Sequence, residues 1–211
     1  MKIIYLKSVE STQLYLKQLL NDKKIRSPYA VVSDIQTSGI GSRGNPWQSL
    51  DGNLFLSFAL PLKQLPDDLK TESISIYFAY LLKETLFEVG SGVWLKWPND
   101  FYIGDFKVGG MITNMVGKDL ICGVGLNLLN SPKEFTTMDV KISKIDLIEK
   151  YLKKIEKKIS WKQVFSKYKL EFYKNRKFFT HIDNLKVSMD GAELQCDGSI
   201  LCDGERIYSL R

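Results

Sequence analysis

A chain of 211 residues is long enough for one main domain with a small appendage. Its apolar fraction of 44% can fill a core, and its aromatic fraction of 12% argues against disorder. No run is long and apolar enough to cross a bilayer. Residues 3–6 form a strand pattern rather than a charged-then-apolar leader, so no secretory signal is expected.

Cysteine and histidine usage narrows the chemistry. The three cysteines form no CxxC pair and make a poor disulfide framework, which favours a reducing, cytoplasmic location. The single histidine, His181, lies away from every motif, so nothing supports a Ser-His-Asp or Cys-His mechanism. Histidine-rich zinc sites are excluded, and any metal is expected to be Mg²⁺ that arrives with phosphates.

The net charge of +6 is concentrated between Lys141 and Lys177, where thirteen Lys or Arg residues stand against four Asp or Glu residues. A nucleic-acid face is one interpretation of this segment. We favour a solvated helix surface, because the lysines fall on the polar side of amphipathic patterns. An acidic protein partner or a nucleotide would also be attracted to it.

Strands and helices alternate through the first 90 residues of the predicted structure. The predicted elements are a strand over 3–6, a helix capped by Ser11 or Thr12, strands over 29–35 and 53–60, and a helix over 71–89 that ends at Gly90. Ile74, Phe78, Leu81 and Leu82 of the long helix are predicted to face the core.

A glycine-rich loop over 36–49 joins the second and third strands. Gly39, Gly41 and Gly44 fit the G-x-G-x-x-G pattern of dinucleotide-binding folds. The loop is followed by Pro46 and a strand rather than by a helix, so we reject a dinucleotide-binding interpretation. The loop is predicted to order over an anionic ligand instead.

Three short strands are predicted here: residues 93–97, residues 101–103 and the apolar run that begins at Val108. Pro98 must end the first of them because it has no N–H to donate. Gly104-Asp105 is a hairpin signal, and the hairpin returns Lys107 to the sheet close to Asn99 and Asp100. Gly109 and Gly110 then lie inside a strand, where we expect them to permit close approach of a ligand to the backbone.

A buried strand over 119–126 is followed by an irregular segment over 128–140 that is long enough to act as a lid. Ser143 and the Ser160-to-Gln163 capping box predict two further helices. The apolar positions of the first helix are Ile145, Ile148, Leu152, Ile155 and Ile159. Three Asp-Gly turns after His181 predict a small antiparallel barrel or meander that docks on the main domain.

Several of these stretches together resemble the biotin–protein ligase, or biotin–[acetyl-CoA-carboxylase] ligase, family. The most diagnostic is Lys96-Trp97-Pro98-Asn99-Asp100 followed by Lys107-x-x-Gly110. The flanking matches, in order, are Ser11-Thr12, Gln36-Thr37-x-Gly39-x-Gly41 ending at Trp47, Asn53-Leu54-x-Leu56-Ser57 and Gly123-x-Gly125-x-Asn127. They cover nearly the whole chain.

The resemblance implies an α+β fold of the class II synthetase and biotin–lipoate ligase type, with a mixed, largely antiparallel central sheet and packed helices. It implies a catalytic biotin- and ATP-binding domain over residues 1–180 and a small SH3-like β-barrel domain over 181–211. It also implies a short form without the N-terminal helix-turn-helix repressor domain, so no DNA binding is expected.

The implied reaction joins the carboxylate of biotin to ATP as biotinoyl-5′-AMP and then transfers biotin to a carrier lysine, with Mg²⁺ accompanying ATP. The implied partner is the biotin carboxyl carrier protein of acetyl-CoA carboxylase, and a homodimer is compatible with the family. Lys107 would bridge the carboxylate and the phosphate, and Asp100 would orient the acceptor lysine or hold the metal. The implied biotin-binding residues are Ser11, Thr12, Gln36, Gly39, Ile40, Trp47, Lys107 and Gly110. The implied ATP-binding residues are Arg43, Trp47, Asn99, Asp100, Lys107 and Asn127.

The chain departs from the family pattern in the glycine-rich loop. Ile40, Ser42 and Asn45 replace three arginines, and only Arg43 is basic, so we predict a weaker grip on ATP and the adenylate. Asn114 stands where a glutamate is common, with no consequence derivable from the sequence. Two alternatives remain open at this point, namely a lipoate–protein ligase on a similar scaffold and a non-catalytic module that binds biotin or nucleic acid.

Overall fold

The computed structural model describes residues 1–182 and 185–209 of the chain. The helices are α1 (Thr12–Asn21), α2 (Ile74–Phe87), α3 (Lys144–Glu156) and α4 (Trp161–Glu171). The strands are β1 (Lys2–Val9), β2 (Tyr29–Gln36), β3 (Gly39–Ile40), β4 (Pro46–Trp47), β5 (Leu54–Pro61), β6 (Trp94–Lys96), β7 (Asp100–Ile103), β8 (Phe106–Val116), β9 (Asp119–Leu126), β10 (Phe179–Ile182), β11 (Leu185–Ser188), β12 (Glu193–Leu194), β13 (Ile200–Cys202) and β14 (Glu205–Ile207).

The centre of the fold is a seven-stranded sheet in the order β1-β2-β5-β9-β8-β7-β6. The β1–β2 pair is parallel and the other pairs are antiparallel, so the predicted mixed, largely antiparallel sheet is confirmed. Strand β5 is apolar at almost every position because both of its faces are covered. Leu16 of α1 packs on one face with Val31, Ala59 and Ile121, while α2 to α4 contribute to the larger core on the other.

Helix α2 is buried on nearly every side rather than along one stripe. The four predicted core positions are buried, but Ile76, Tyr77 and Tyr80 are buried as well. The reason is tertiary: α3 and α4 pack against the side of α2 that faces away from the sheet. On α3, Ile148 is fully buried, whereas Ile145 is 57% exposed.

Most lysines of the basic segment are exposed, as the solvated-surface interpretation predicts, whereas Lys154 of α3 is buried. Lys154 contacts Glu88 at 2.6 Å and Lys167 contacts Glu84 at 2.9 Å, so these lysines pair with acidic residues at the end of α2. The capping box at Ser160 is present, with both of its reciprocal hydrogen bonds. Among the residues that the structure describes, no helix has the length and apolar character required to cross a membrane.

The C-terminal strands form two small antiparallel sheets, β10–β11 and β12–β13–β14. The glycines of the three Asp-Gly turns have positive φ angles, as the turn prediction requires. The middle turn docks on the main domain, because the indole N–H groups of Trp97 and Trp161 donate to the carbonyls of Gly198 and Cys196, both at 2.8 Å. The division at residue 181 stays a prediction, and residues 183–184 and 210–211 of the predicted C-terminal domain lie outside the described residues.

Candidate active site

An ion pair between Lys107 and Asp100 lies at the β7–β8 hairpin. Gly104 adopts φ +54° in the turn, and the hairpin register places Asp100 opposite Gly110 and Lys107 opposite Tyr102. Lys107 Nζ lies 2.6 Å from Asp100 Oδ1, and about a quarter of each side chain is exposed (24% and 23%). The approach that the hairpin signal predicts is therefore present in the structure.

The corner before Asp100 is held by amide side chains. The Asn99 amide donates to the carbonyl of Met111 at 2.5 Å, and the Met111 N–H donates back to the carbonyl of Asn99 at 2.9 Å. The side-chain oxygen of Asn175 accepts from the N–H of Trp97 at 2.8 Å. Asn99 thus fixes β8 against the start of β7 and is not among the cavity-lining residues, and its contact with ATP stays a prediction.

A cavity of about 210 Å³ opens beside the ion pair, between α1, β8, β9 and the glycine-rich loop. Its lining includes eight of the residues that the sequence singles out, namely Ser11, Thr12, Gln36, Ile40, Trp47, Asp100, Lys107 and Gly110. Ser42 and Asn45, which stand where the family has arginines, also line it. The structure therefore brings together most of a site that is scattered over a hundred residues of sequence.

Hydrogen bonds fix the polar wall of the cavity. Both the backbone N–H and the hydroxyl of Thr12 lie within hydrogen-bond distance of Gln36 Oε1, at 2.8 and 3.0 Å. The Thr12 hydroxyl also lies 2.8 Å from the Ser57 hydroxyl. Because the oxygen of Gln36 is occupied, its NH₂ group is left as the donor for a ligand. Ser11 is the N-cap of α1, so the start of this helix is anchored at the cavity wall.

The glycines of the site have different roles. A Cβ atom on Gly110 would lie 3.2 Å from Asp100 Oδ1 and 3.7 Å from Lys107 Nζ, so the bare backbone leaves room around the ion pair. A Cβ atom on Gly109 would instead lie 2.4 Å from a methyl carbon of Leu126 on the neighbouring strand. The prediction that Gly109 admits a ligand is wrong, because its missing side chain is needed for packing within the sheet.

Trp47 covers the cavity from the glycine-rich loop. Its indole ring rests on Gly125 of β9, where a Cβ atom would lie 2.6 Å from the ring. Gly39 pairs with Trp47 across β3 and β4, and a Cβ atom there would lie 2.7 Å from the Trp47 carbonyl. Gly39 is buried under this hairpin and is not among the lining residues, so its use is to seat Trp47. Arg43 is exposed, with φ +58°, and does not line the cavity.

Asn127 is buried and acts through the backbone of neighbouring segments. Its N–H donates to the carbonyl of Val108 at 2.8 Å, and its amide donates to the carbonyl of Thr136 at 3.3 Å. The N–H of Thr136 in turn donates to the carbonyl of Lys107 at 2.9 Å. Asn127 therefore ties the segment over 128–140 to β8 beside Lys107; it is not among the cavity-lining residues, and its contact with ATP stays a prediction.

Sequence reasoning missed several lining residues. Ser57 falls in a matching motif but has no predicted role in the site, although a polar residue inside an otherwise apolar strand is itself a signal. Gln13 was hidden in the first turn of α1, where an exposed polar residue is the ordinary expectation. Phe135 reaches the cavity from the irregular segment, and nothing in its local sequence indicates this.

The cavity has the Lys107–Asp100 pair at one end and a polar wall built by Thr12 and Gln36, an arrangement suited to a small molecule that carries an acidic group and hydrogen-bonding groups. Comparisons with known proteins agree. A family model described as the biotin/lipoate A/B protein ligase family matches residues 5–127. The chain belongs to that family, as the motifs predict.

Individual proteins similar to this chain include ligases that act on biotin. The chain is 33% identical over 127 residues to the bifunctional ligase/repressor BirA of Salmonella typhimurium, an alignment that spans 57% of this chain and 38% of that protein. Biotin acetyl coenzyme A carboxylase synthetase from Helicobacter pylori, solved with bound biotinylated ATP, has a TM-score of 0.94 at 39% identity and covers 98% of this chain and 99% of its own. Biotin protein ligase from Aquifex aeolicus, in complex with biotin and ATP, has a TM-score of 0.79 at 26% identity, covering 98% and 94%.

Proposed function

We propose that the protein is an ATP-dependent biotin–protein ligase that forms biotinoyl-5′-AMP and transfers biotin to a lysine of a biotin carboxyl carrier domain, such as that of acetyl-CoA carboxylase. The observation that carries the proposal is the Lys107–Asp100 pair at one end of a cavity whose polar wall is built by Thr12 and Gln36. The ligands of the Helicobacter and Aquifex structures support it.

Lys107 addresses the main electrostatic obstacle of the first step, which brings two anions together. Two like unit charges about 4 Å apart repel by about 4 kcal/mol at an effective dielectric constant near 20. An ammonium group has three donors, and Asp100 occupies one of them at 2.6 Å. The other two are available for the biotin carboxylate and an α-phosphate oxygen, so Lys107 can neutralise both at their point of contact.

The proposed reaction has two steps, formation of the adenylate and transfer of biotin to the carrier. A carboxylate oxygen of biotin forms a bond to the α-phosphorus, and pyrophosphate leaves with the electron pair of the bond that breaks. The uncharged amine of the carrier lysine then attacks the acyl carbon, AMP leaves with the electron pair of the anhydride bond, and the proton released from the amine passes to solvent. Asp100 lines the cavity beside Lys107, where its carboxylate orients the ammonium and can accept a hydrogen bond from the incoming amine.

The residues present fit a magnesium ion that arrives with ATP. Within the part of the chain that the structure describes, no three His, Cys, Asp or Glu side chains form a metal-binding group. Mg²⁺ is usually held by one or two carboxylates together with substrate phosphates and water. Asp100 is the acidic residue among the cavity-lining residues and would supply one oxygen. The ion would reduce the negative charge of the phosphates.

The glycine-rich loop favours a weaker hold on the adenylate. Ser42 and Asn45 line the cavity, and neither carries a charge, while Arg43 is exposed outside it. Hydrogen bonds from a charged donor contribute about 1.5–3 kcal/mol each, more than those from a neutral hydroxyl or amide. We therefore expect faster release of biotinoyl-5′-AMP than in a relative with an arginine-rich loop.

The test is a pair of assays on the purified protein with ATP and Mg²⁺. Pyrophosphate exchange into ATP, driven by biotin or by lipoate, identifies the acid that is activated. Transfer of biotin to a carrier domain, with a carrier whose acceptor lysine is replaced by arginine as the control, measures the second step. We expect biotin-dependent exchange and transfer to the intact carrier. Exchange with lipoate alone would contradict the proposal, as would biotin binding without any exchange.

A reducing, cytoplasmic location is part of the same proposal. Cys122, Cys196 and Cys202 are all free in the structure, and Cys122 is fully buried. Burial raises the pKa of the Cys122 thiol well above its ordinary value, which makes this cysteine unreactive.

A further inference from the structure

Two amide side chains, those of Gln13 in the cavity wall and of the exposed Asn114 outside it, meet away from Lys107. Asn114 lies on β8 four residues beyond Gly110, on the same face of the strand, and at about 3.3 Å per residue the two positions are about 13 Å apart. Gly110 lies beside the ion pair, so Asn114 lies along β8 away from that pair, outside the cavity lining. There the amide N–H of Gln13 donates to Asn114 Oδ1 at 2.7 Å.

The amide of Gln13 is buried, and its NH₂ group forms a hydrogen bond while its oxygen forms none among the described residues. Gln13 is 8% exposed and lines the cavity, and its Oε1 atom has no hydrogen-bond partner among the described residues. A buried amide oxygen without a donor is unfavourable, and native structures rarely leave one in this state without a reason. Its other group is held by Asn114, so the orientation of the amide is set.

Gly123 of β9 provides the space for this amide. A Cβ atom on Gly123 would lie 2.1 Å from Gln13 Oε1, so any side chain there would displace it. Gly123 pairs with Ile112 across the sheet, two residues from Asn114 and on the same face of β8. Three elements, α1, β8 and β9, therefore place one unpaired acceptor at the wall of the cavity.

The acceptor identifies the ligand group that would complement it. An amide oxygen accepts a hydrogen bond from N–H or O–H, and the opposite end of the cavity holds the cation suited to a carboxylate. We propose that Gln13 is a specificity-determining residue that accepts a hydrogen bond from one N–H of the ureido ring of biotin. In this proposal, which rests on the proposed function, Asn114 orients the amide of Gln13 and Gly123 leaves room for it.

The test compares Gln13→Leu with the matched control Gln18→Leu. Leucine removes the polar atoms of Gln13 at similar size, and Gln18 lies on the exposed side of the same helix. Biotin-dependent pyrophosphate exchange is measured with biotin and with two analogues, each methylated on one ureido nitrogen. In Gln13→Leu we expect the KM for biotin to rise about threefold to tenfold, the range for one neutral hydrogen bond. The KM for ATP and the kcat at saturating biotin should stay within about twofold of wild type.

The KM values for the methylated analogues distinguish a direct contact between Gln13 and biotin from a merely structural role of Gln13. In wild type and Gln18→Leu, methylation of the nitrogen that faces Gln13 should raise KM, because the donor is lost. In Gln13→Leu the same methyl group meets an apolar side chain and should add no further penalty, so the two changes are coupled. Asn114→Ala keeps Gln13 but removes the group that orients its amide, so it should give a smaller rise in the KM for biotin. This variant also tests the proposal if Gln13→Leu folds poorly.

Two outcomes would overturn the inference, and they are distinguishable. If the wild type supports biotin-dependent exchange but both methylated analogues are penalised equally in wild type and Gln13→Leu, the role of Gln13 fails alone. If the wild type supports no biotin-dependent exchange at all, the proposed function fails and this inference fails with it.

Discussion

Removal of the Lys107 ammonium is the sharpest test of the proposed chemistry. Methionine at this position keeps most of the side-chain length but leaves the Asp100 carboxylate without the partner that lies 2.6 Å away. The site then holds one uncompensated negative charge where two more anions must meet. A charge contact at about 4 Å amounts to about 4 kcal/mol at an effective dielectric constant near 20, and loss of one preorganised stabilising donor lowers kcat by about 10²–10³. We expect Lys107→Met to slow adenylate formation by at least about 10²-fold.

The assay is biotin-dependent pyrophosphate exchange, followed by single-turnover formation of the adenylate under excess enzyme. Lys118→Met is the matched control, since this lysine lies exposed in the turn between β8 and β9, at the opposite end of β8 from Lys107. The double variant Lys107→Met with Asp100→Asn removes the unpaired carboxylate as well. It should bind biotin more tightly than Lys107→Met alone, without recovering the rate.

One result would refute the reasoning directly. If Lys107→Met forms the adenylate within about fivefold of the wild-type rate, the cation does not stabilise the developing charge, and the ion pair has only a structural role. A loss of the same size in Lys118→Met would point to general electrostatic attraction of ATP instead.

Three further predictions follow from contacts elsewhere in the structure. Ser42→Arg with Asn45→Arg should prolong the lifetime of the bound adenylate by about tenfold or more, measured by rapid gel filtration of labelled intermediate, and an unchanged lifetime would contradict the loop argument. Gly109→Ala should lower the free energy of unfolding by about 1–3 kcal/mol in urea titration, because the added methyl group overlaps the neighbouring strand, and wild-type stability would refute this. Burial alone would raise the pKa of Glu84, but ion pairs with two lysines lower it below its ordinary value. The resulting stabilisation is present above the ordinary carboxyl pKa and is lost as the pH falls through the lowered value, so Glu84→Gln should be less stable than wild type at neutral pH and equal to it in acid.

Much of the site follows from local chemistry. Pro98 ends a strand, Gly104 allows the tight turn, and the register of the hairpin then brings Lys107 beside Asp100 without help from distant residues. The N-cap at Ser11 is local in the same sense, because the orphan N–H groups of a helix end need an oxygen nearby. Short-range steric and hydrogen-bonding rules are sufficient for such features, so residue order alone predicts them.

Glycine shows where residue order is insufficient. Gly109 and Gly110 are adjacent in the same strand, yet one leaves room for the ion pair and the other for a leucine of the next strand. Successive strand positions point to opposite faces, and only the register with β9 decides which face holds the ligand. Gly39 is a similar case, since its constraint is the approach of Trp47 rather than of a substrate.

The sequence by itself determined the fold class, the hairpin that joins Lys107 to Asp100, the helix caps and the family, because these depend on local conformational preferences and on motifs within short stretches. Only the tertiary structure decided that Asn127 and Asn99 hold backbone segments while Gln13 reaches the cavity. The partner of Gln13 is Asn114, 101 residues away. The role of a polar side chain is set by the groups it meets after the chain has folded, and residues this far apart are brought together only by the packing of α1 on the central sheet.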